Sequence, residues 1–193
     1  MATIVDADGH ILEPRTVWED YTESAYRDRV IQIARDHEGI DRLKINGELR
    51  ADRNMSIAAA CTPGGLADPH KARTLGWDEI PRGGYDPYTR AKDMDLEGIE
   101  VAFFYPSLWL IYGDLEDPQL AAASCRAYNN WIADFCKAYP QRFFGVAPLP
   151  LQNVDEAVKE MRCVVKDLGM RAVFVRFNSF NGWRLCNPAY DIF

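Results

Sequence analysis

The stretch DPYTRAKDMDLEGIEVAFFYP, residues 86–106, carries the strongest indication of the architecture. Asp86-Pro87 is typical of a helix start, with the aspartate as N-cap and the proline in the first turn. Gly98 is placed to end that helix. The apolar run at residues 101–105, closed by Pro106, is typical of a buried strand. The stretch therefore predicts a helix that leads directly into a strand.

The same order repeats toward the C-terminus. Asp117-Pro118 predicts a second helix, and residues 143–147 form the next apolar strand. A helix that begins after Asn153 leads to a further strand at residues 172–175. Strands that are almost entirely apolar and alternate with helices are typical of parallel βαβ units. A doubly wound sheet and a (β/α)8 barrel both have this order, but no glycine-rich phosphate loop follows any strand, which disfavours a nucleotide-binding doubly wound fold.

The N-terminal part of the chain is less regular. A first strand is predicted at residues 3–6, and residues 30–49 have the alternating pattern of a β-hairpin. A second tight turn follows at Asn46-Gly47. Residues 51–85 are rich in glycine and proline, which predicts a long irregular excursion, a lid or a partly disordered segment.

One domain is expected over residues 1–193, with the hairpin and loop excursion at 30–85 and regular βα units at 86–193. Asn187-Pro188 resembles another helix start, yet only five residues follow it. A helix so short cannot bury an apolar face. The sequence is therefore expected to stop in mid-fold, and a frayed tail is the alternative, which its apolar residues disfavour.

Composition narrows the classes of function. The formal net charge of −7 disfavours nucleic acid and anionic membranes as partners. No run of 18 apolar residues is present and the N-terminus lacks a secretory signal, so a cytoplasmic protein is expected. Five widely spaced cysteines without a CxxC pair predict mostly buried free thiols rather than a disulfide framework or a zinc knot.

Residues 4–14, IVDADGHILEP, place acidic and imidazole side chains directly after a short apolar start. Asp6, Asp8 and His10 share one parity, so in a continuous strand all three would point to the same face. In a barrel that face is the lumen, near the mouth where active sites lie. We expect Asp8 and His10 to bind one divalent ion, Zn²⁺ or alternatively Mn²⁺ or Fe²⁺, with Asp6 orienting a ligand from behind.

A turn is the alternative interpretation of Asp8-Gly9-His10, with Gly9 in a left-handed conformation and Asp8 bonded to the backbone. Two ligands are also an incomplete set, since a catalytic zinc needs three protein ligands and an open position for water. The other two histidines, His37 in the predicted hairpin and His70 in the excursion, are expected to be solvated loop residues.

Several blocks of sequence resemble the amidohydrolase-related family, the group that includes aminocarboxymuconate-semialdehyde decarboxylase and the resorcylate-type decarboxylases. These blocks are VDADGHILEP at 5–14, YTRAKDMDLEGIEVAFFYPS at 88–107, AYNNWIADFCKAYPQRFFGVAPLPLQNVDEAV at 127–158 and LGMRAVFVRFN at 168–178. The resemblance implies a (β/α)8 barrel with one divalent metal, usually zinc. This chain would be its N-terminal half, with the hairpin and excursion inserted after the first strand.

The resemblance also implies that Asp8-Gly9-His10 takes the place of the family's His-x-His or Glu-x-His motif. The family's middle-strand histidine and late-strand aspartate would lie beyond Phe193, so no catalytic residue is assigned. The implied activity is hydrolysis or nonoxidative decarboxylation of a small carboxylated substrate that is cyclic or aromatic. A catalytically silent half-barrel, which forms homo-oligomers through its open sheet edges, is the alternative function.

Two residues are substrate-binding candidates. Arg176, just after the strand at 172–175, is expected to bind a substrate carboxylate, with a surface ion pair as its alternative role. Tyr105, at the end of the strand at 101–105, is expected to line the mouth. Four more aromatic residues are candidate walls for a planar substrate, although packing is the favoured role for each: Trp109, Phe177, Phe180 and Trp183.

Overall fold

The computed structural model describes residues 3–50, 56–110, 115–176, 179–180 and 182–193. The strands in these ranges are β1 (Ile4–Ile11), β2 (Gln32–Arg35), β3 (Asp41–Ile45), β4 (Glu48–Arg50), β5 (Ile99–Pro106), β6 (Phe143–Pro148) and β7 (Ala172–Phe174). The helices are α1 (Thr16–Tyr21), α2 (Ile57–Ala60), α3 (Pro69–Thr74), α4 (Pro87–Glu97), α5 (Pro118–Cys136) and α6 (Val154–Lys166).

A four-stranded parallel sheet in the order β1-β5-β6-β7 is the main layer of the fold. Helix α4 leads into β5, α5 connects β5 to β6, and α6 connects β6 to β7. This alternation confirms the predicted α/β class with a parallel sheet. Because the strands are parallel, their carboxyl ends all lie at one edge of the sheet, which is where functional side chains of such sheets gather.

The helix boundaries follow the predicted capping residues. The Asp86 carboxylate accepts a hydrogen bond from the backbone N–H of Thr89, and Gly98 ends α4 in a left-handed conformation with φ of 72°. Asp117 caps α5 in the same way, and Asn153 accepts from the N–H of Glu156 at the start of α6. Each cap satisfies a backbone donor that the first helical turn leaves without a partner.

The two faces of the sheet differ in burial. On β5, Ala102 and Phe104 are buried, and the Phe104 ring packs edge-on against Phe135 of α5. The alternate residues Phe103 and Tyr105 are only half-buried. The strand predicted as buried at residues 101–105 is therefore fully buried on one face only, because the helices that follow the strands pack against that face.

A second, antiparallel sheet contains β2, β3 and β4, with β3 in the centre. The buried side chain of Asp41, in β3, connects this sheet to the segments around it. The Asp41 carboxylate accepts hydrogen bonds from Arg15 at 3.0 Å, from Arg35 at 3.2 Å and from the Trp77 backbone N–H at 2.7 Å. Burial opposes ionisation, but the Trp77 N–H and the two guanidinium groups lower the pKa of Asp41. One carboxylate thus joins three separate segments of the chain.

Residues 56–85 are more ordered than the predicted irregular excursion. They contain α2 and α3, followed by short 3-10 turns at Trp77–Glu79 and Arg82–Gly84. The Ser56 and Asp68 side chains cap the two helices, which explains why such short segments begin where they do. Residues 51–55, which belong to the same predicted excursion, lie outside the described residues.

The remaining sequence expectations concern the end of the chain, the thiols and the membrane. Asn187 caps a 3-10 turn at Pro188–Tyr190 rather than a longer helix. The five cysteines are free thiols, of which Cys125 is buried and Cys186 is exposed. Among the described helices, none combines the length and apolar character needed to cross a bilayer.

Replacement of Asp41 by alanine should destabilise the protein by about 2 kcal/mol, because a buried N–H and two guanidinium groups lose a charged acceptor. Since the folded pKa of Asp41 is lowered, its contribution should be present at neutral pH and disappear as the pH falls through that pKa. Urea unfolding at a series of pH values measures both effects. Asp78→Ala removes an exposed partner of Arg15 and is the matched control, for which a much smaller loss is expected.

Candidate metal site at the end of the first strand

Strand β1 is longer than the sequence predicts. It continues through Asp8 and His10 to Ile11, and Gly9 does not adopt a left-handed conformation. The interpretation of Asp8-Gly9-His10 as a turn is therefore wrong. Asp6 lies opposite Ala102 of β5 and Gly9 lies opposite Phe104, so two residues of β1 stand where β5 has one, and β1 has one extra residue. This irregularity is a β-bulge, a feature that re-aims side chains next to functional sites.

The bulge overturns the predicted shared orientation of the three side chains. Across parallel strands, paired residues point to the same face. Asp6 pairs with Ala102, which is buried under the helices, whereas His10 pairs with Tyr105 on the half-exposed face. Burial lowers the pKa of Arg90 on α4, and the charge of Asp6 opposes that effect, which agrees with an Asp6 side chain on the helical side. Asp6 and His10 therefore face opposite sides of the sheet.

Asp6 acts on the backbone of the bulge. Its carboxylate accepts a hydrogen bond from the Asp8 N–H at 3.1 Å. A Cβ atom at Gly9 would lie 2.7 Å from the Asp6 carboxylate and 3.0 Å from the Phe103 carbonyl oxygen, so only glycine leaves room for this arrangement. Asp6 and Gly9 together fix the short segment that carries Asp8.

The imidazole of His10 is held through one of its two nitrogens. Nδ1 lies 3.0 Å from the Pro106 carbonyl oxygen and 3.4 Å from Ser107 Oγ. Because a carbonyl oxygen can only accept, this contact assigns a proton to Nδ1, and in the neutral imidazole Nε2 then has the lone pair. The carbonyl oxygen of His10 itself accepts a hydrogen bond from Arg90 at 2.7 Å. In metalloproteins, a ligating histidine likewise donates one ring N–H to a carbonyl or carboxylate and binds the metal through the other nitrogen.

Asp8, two residues before His10, is exposed, and no described residue forms a hydrogen bond or ion pair with its carboxylate. A carboxylate and an imidazole suit a divalent transition-metal ion by type. The set is small, however, since the described part of the chain contains no group of three or more His, Cys, Asp or Glu side chains arranged to hold an ion. The two donors fit a divalent metal ion by type, but they do not make up a complete ligand set among the described residues.

Aromatic side chains continue from His10 across the half-exposed face. The Tyr105 ring centroid lies 6.2 Å from that of His10, and Tyr105 packs edge-on against Phe174 of β7 at 5.9 Å. Tyr105 is thus beside the candidate ligand. Arg176, two residues past β7, donates a hydrogen bond to the Leu110 carbonyl on the segment that follows β5.

The four predicted aromatic walls have different surroundings. Trp109 and Phe180 are buried in the hydrophobic core, where they pack rather than line a site. Trp183 is half-exposed and packs edge-on against Tyr190. Phe177 lies outside the described residues.

Glu13 is a residue that the sequence reasoning missed. It is completely buried, and its two carboxylate oxygens accept hydrogen bonds from the backbone N–H groups of Leu108 at 2.9 Å and Trp109 at 3.0 Å. The Trp109 ring packs against Trp18 with centroids 5.5 Å apart. Burial raises the pKa of Glu13 to about 7, although the two N–H groups oppose the rise. The sequence signal that could have indicated Glu13 is an acidic residue directly after the apolar pair Ile11-Leu12.

Comparison with known proteins points to one family. A sequence model of the amidohydrolase family matches residues 5–191. A gamma-resorcylate decarboxylase of Rhizobium radiobacter is 34% identical over 104 residues, which are 54% of this chain and 32% of that enzyme. The chain thus spans about a third of the length of this curated relative.

Solved structures show the same fold. An amidohydrolase of Mycobacterium avium subsp. paratuberculosis K-10 superimposes with a TM-score of 0.75 at 19% identity, covering 98% of this chain and 54% of that one. A 5-carboxyvanillate decarboxylase of Novosphingobium aromaticivorans DSM 12444, complexed with manganese and 4-hydroxy-3-methoxy-5-nitrobenzoic acid, has a TM-score of 0.61 at 18% identity and covers 98% and 46%.

The stability of Glu13→Gln relative to wild type should rise as the pH rises, because only wild type has to bury an ionised carboxylate at high pH. The folded pKa of Glu13 is raised from 4.5 to about 7, so its favourable contribution is complete below pH 4.5 and is lost as the pH rises through 7. The difference in unfolding free energy between variant and wild type should change by about 3 kcal/mol between pH 4 and pH 8.

Urea unfolding across that range measures this change. Tyr128 and Cys61, the titratable groups that sense the Glu13 charge, have pKa values raised by burial and stay neutral over it. Glu100→Gln, at an exposed carboxyl near the start of β5, is the control and should produce a smaller change. A difference in unfolding free energy between Glu13→Gln and wild type that does not vary with pH would contradict the raised pKa of Glu13.

Proposed function

This chain belongs to the amidohydrolase family, and on that premise we propose that it supplies the first-strand part of a divalent-metal site in an enzyme that acts on small aromatic or cyclic carboxylic acids. The observation that carries the proposal is the His10 imidazole, whose Nδ1 is bonded to the Pro106 carbonyl while Nε2 is left as a donor. Asp8, in the same bulged segment, supplies the second donor. The hydrolysis of such acids and their nonoxidative decarboxylation are both within the proposal.

A divalent ion held by Asp8 and His10 would polarise a substrate oxygen or acidify a bound water, as metal ions in hydrolytic sites do. The residues of this chain set the conditions for that chemistry. His10 presents a neutral nitrogen, and Asp8 adds a negative charge where the family motif more often has a histidine. A carboxylate donor favours oxygen-preferring ions such as Mn²⁺, the metal in the solved 5-carboxyvanillate decarboxylase, and zinc is the alternative.

Tyr105 and Arg176 have proposed roles on the substrate side. Tyr105 stands beside His10 on the half-exposed face, so its ring would pack against a planar substrate bound at the ion. Arg176 donates to the Leu110 carbonyl through one guanidinium nitrogen and would bind a substrate carboxylate through the others. If the bond to Leu110 were given up, water would replace the guanidinium as the donor to that exposed carbonyl.

The parallel sheet is proposed to be the first half of a (β/α)8 barrel of a cytoplasmic enzyme. The half-exposed face that carries Phe103 and Tyr105 would then be the lumen, and the outer strands β1 and β7 would be completed by further strands. The same two outer strands favour a second candidate function, a module that forms homo-oligomers by pairing its edges with another copy.

His10→Ala should weaken binding of Mn²⁺ and of Zn²⁺ by more than about tenfold, because it removes the proposed nitrogen ligand. Electron paramagnetic resonance for Mn²⁺ and calorimetry for Zn²⁺ measure the two affinities. His37→Ala, which changes an exposed histidine in the turn between β2 and β3, is the matched control and should leave both affinities unchanged. Equal metal binding by wild type and His10→Ala would contradict the ligand role.

The purified 193-residue chain is expected to bind metal weakly and to show no turnover of gamma-resorcylate, because the described residues supply two donors to the ion. Release of CO₂ from gamma-resorcylate with added Mn²⁺ measures the activity, and light scattering measures the oligomeric state. Turnover by the chain alone would contradict this expectation. A metal-independent oligomer without turnover would favour the second candidate function.

A further inference from the structure

Glu13 ties together the ends of two neighbouring strands. It lies two residues past β1, and its carboxylate binds the consecutive N–H groups of Leu108 and Trp109 on the segment that follows β5. Leu108, Trp109 and Glu13 are each at most 1% exposed. The carboxylate therefore fixes the backbone just beyond Pro106, in a place from which water is excluded.

The segment that Glu13 holds is the one that contacts His10. The Pro106 carbonyl oxygen and Ser107 Oγ, the two groups near Nδ1, belong to the residues immediately before Leu108. A displacement of this backbone would move the acceptor away from Nδ1. The orientation of the imidazole and the nitrogen that carries its proton therefore depend on contacts made by Glu13.

We propose that Glu13 is a positioning residue, which keeps the Pro106 carbonyl in place to accept the Nδ1 proton of His10 and so directs Nε2 toward the ion. That Nε2 is directed toward an ion rests on the proposed function, whereas the effect of Glu13 on the His10 tautomer does not.

A carboxylate is suited to this role because two parallel N–H donors need two acceptor oxygens. A glutamine has one acceptor oxygen, and its NH₂ group would oppose the second N–H. This requirement accounts for a buried acid without a described cationic partner at a position where burial disfavours its charge.

The test is nitrogen-15 NMR of the histidine rings in the metal-free chain at a pH above the Glu13 pKa of about 7, where the carboxylate is ionised, with the His10 signals identified by their loss in His10→Ala. Wild type should show the Nδ1–H tautomer of His10. Glu13→Gln should raise the ratio of Nε2–H to Nδ1–H roughly fivefold, the factor that corresponds to the loss of one ordinary hydrogen bond. Glu13→Asp should have the same effect, because its side chain is one methylene too short to reach the N–H groups of Leu108 and Trp109.

Glu160→Gln is the matched control, because Glu160 is also buried and binds Asn129 at 2.6 Å, away from His10. It should leave the His10 tautomer as in wild type. An unchanged tautomer in folded Glu13→Gln or Glu13→Asp would overturn the proposal, and so would an equal shift in Glu160→Gln.

Two further measurements cover the remaining outcomes. In wild type, the Leu108 and Trp109 amides should exchange with solvent as slowly as those of β5, and fast exchange would overturn the proposal even if neither variant folds. Titration with Mn²⁺ separates this proposal from the function. A tautomer shift in a chain whose His10 does not bind Mn²⁺ would support the role of Glu13 and defeat the proposed metal site.

Discussion

The parallel pairing of β1 with β5 is the interaction on which the rest of the site depends. Its register carries one extra residue on β1, and that residue separates the orientation of Asp6 from that of His10. The pairing also brings the end of β1 beside Pro106, so that a carbonyl of β5 can hold the imidazole. A regular ladder would place Asp6 and His10 on one face and would remove the reason for a glycine at position 9.

Local chemistry made much of the fold predictable. Asp86, Asp117 and Asn153 cap helices where the sequence indicates, because capping depends on residues within one turn of the cap. The alternation of apolar strands and helices likewise predicts a parallel sheet. The boundary of the first strand was wrong, since a run of Asp-Ala-Asp-Gly has low strand propensity and is extended here through its pairing with β5.

The candidate site was only partly accessible to the same reasoning. Residue type and spacing suggest Asp8 and His10 as candidate ligands, but the bulge depends on a register with residues about 95 positions away. Glu13 was missed for a similar reason, because its partners Leu108 and Trp109 are equally remote in the chain. Spacing within one segment can suggest a ligand pair, whereas the groups that orient the pair come from the tertiary structure.

The contact between the tilted indoles of Trp18 and Trp109 has a practical consequence. Their centroids lie 5.5 Å apart, and the backbone of Trp109 is one of the two donors that Glu13 holds. Two indoles at this separation couple their electronic transitions, so the pair should give an exciton signal in circular dichroism. That signal is an intrinsic optical reporter for the state of the strand ends around the site, and it can be read without labels.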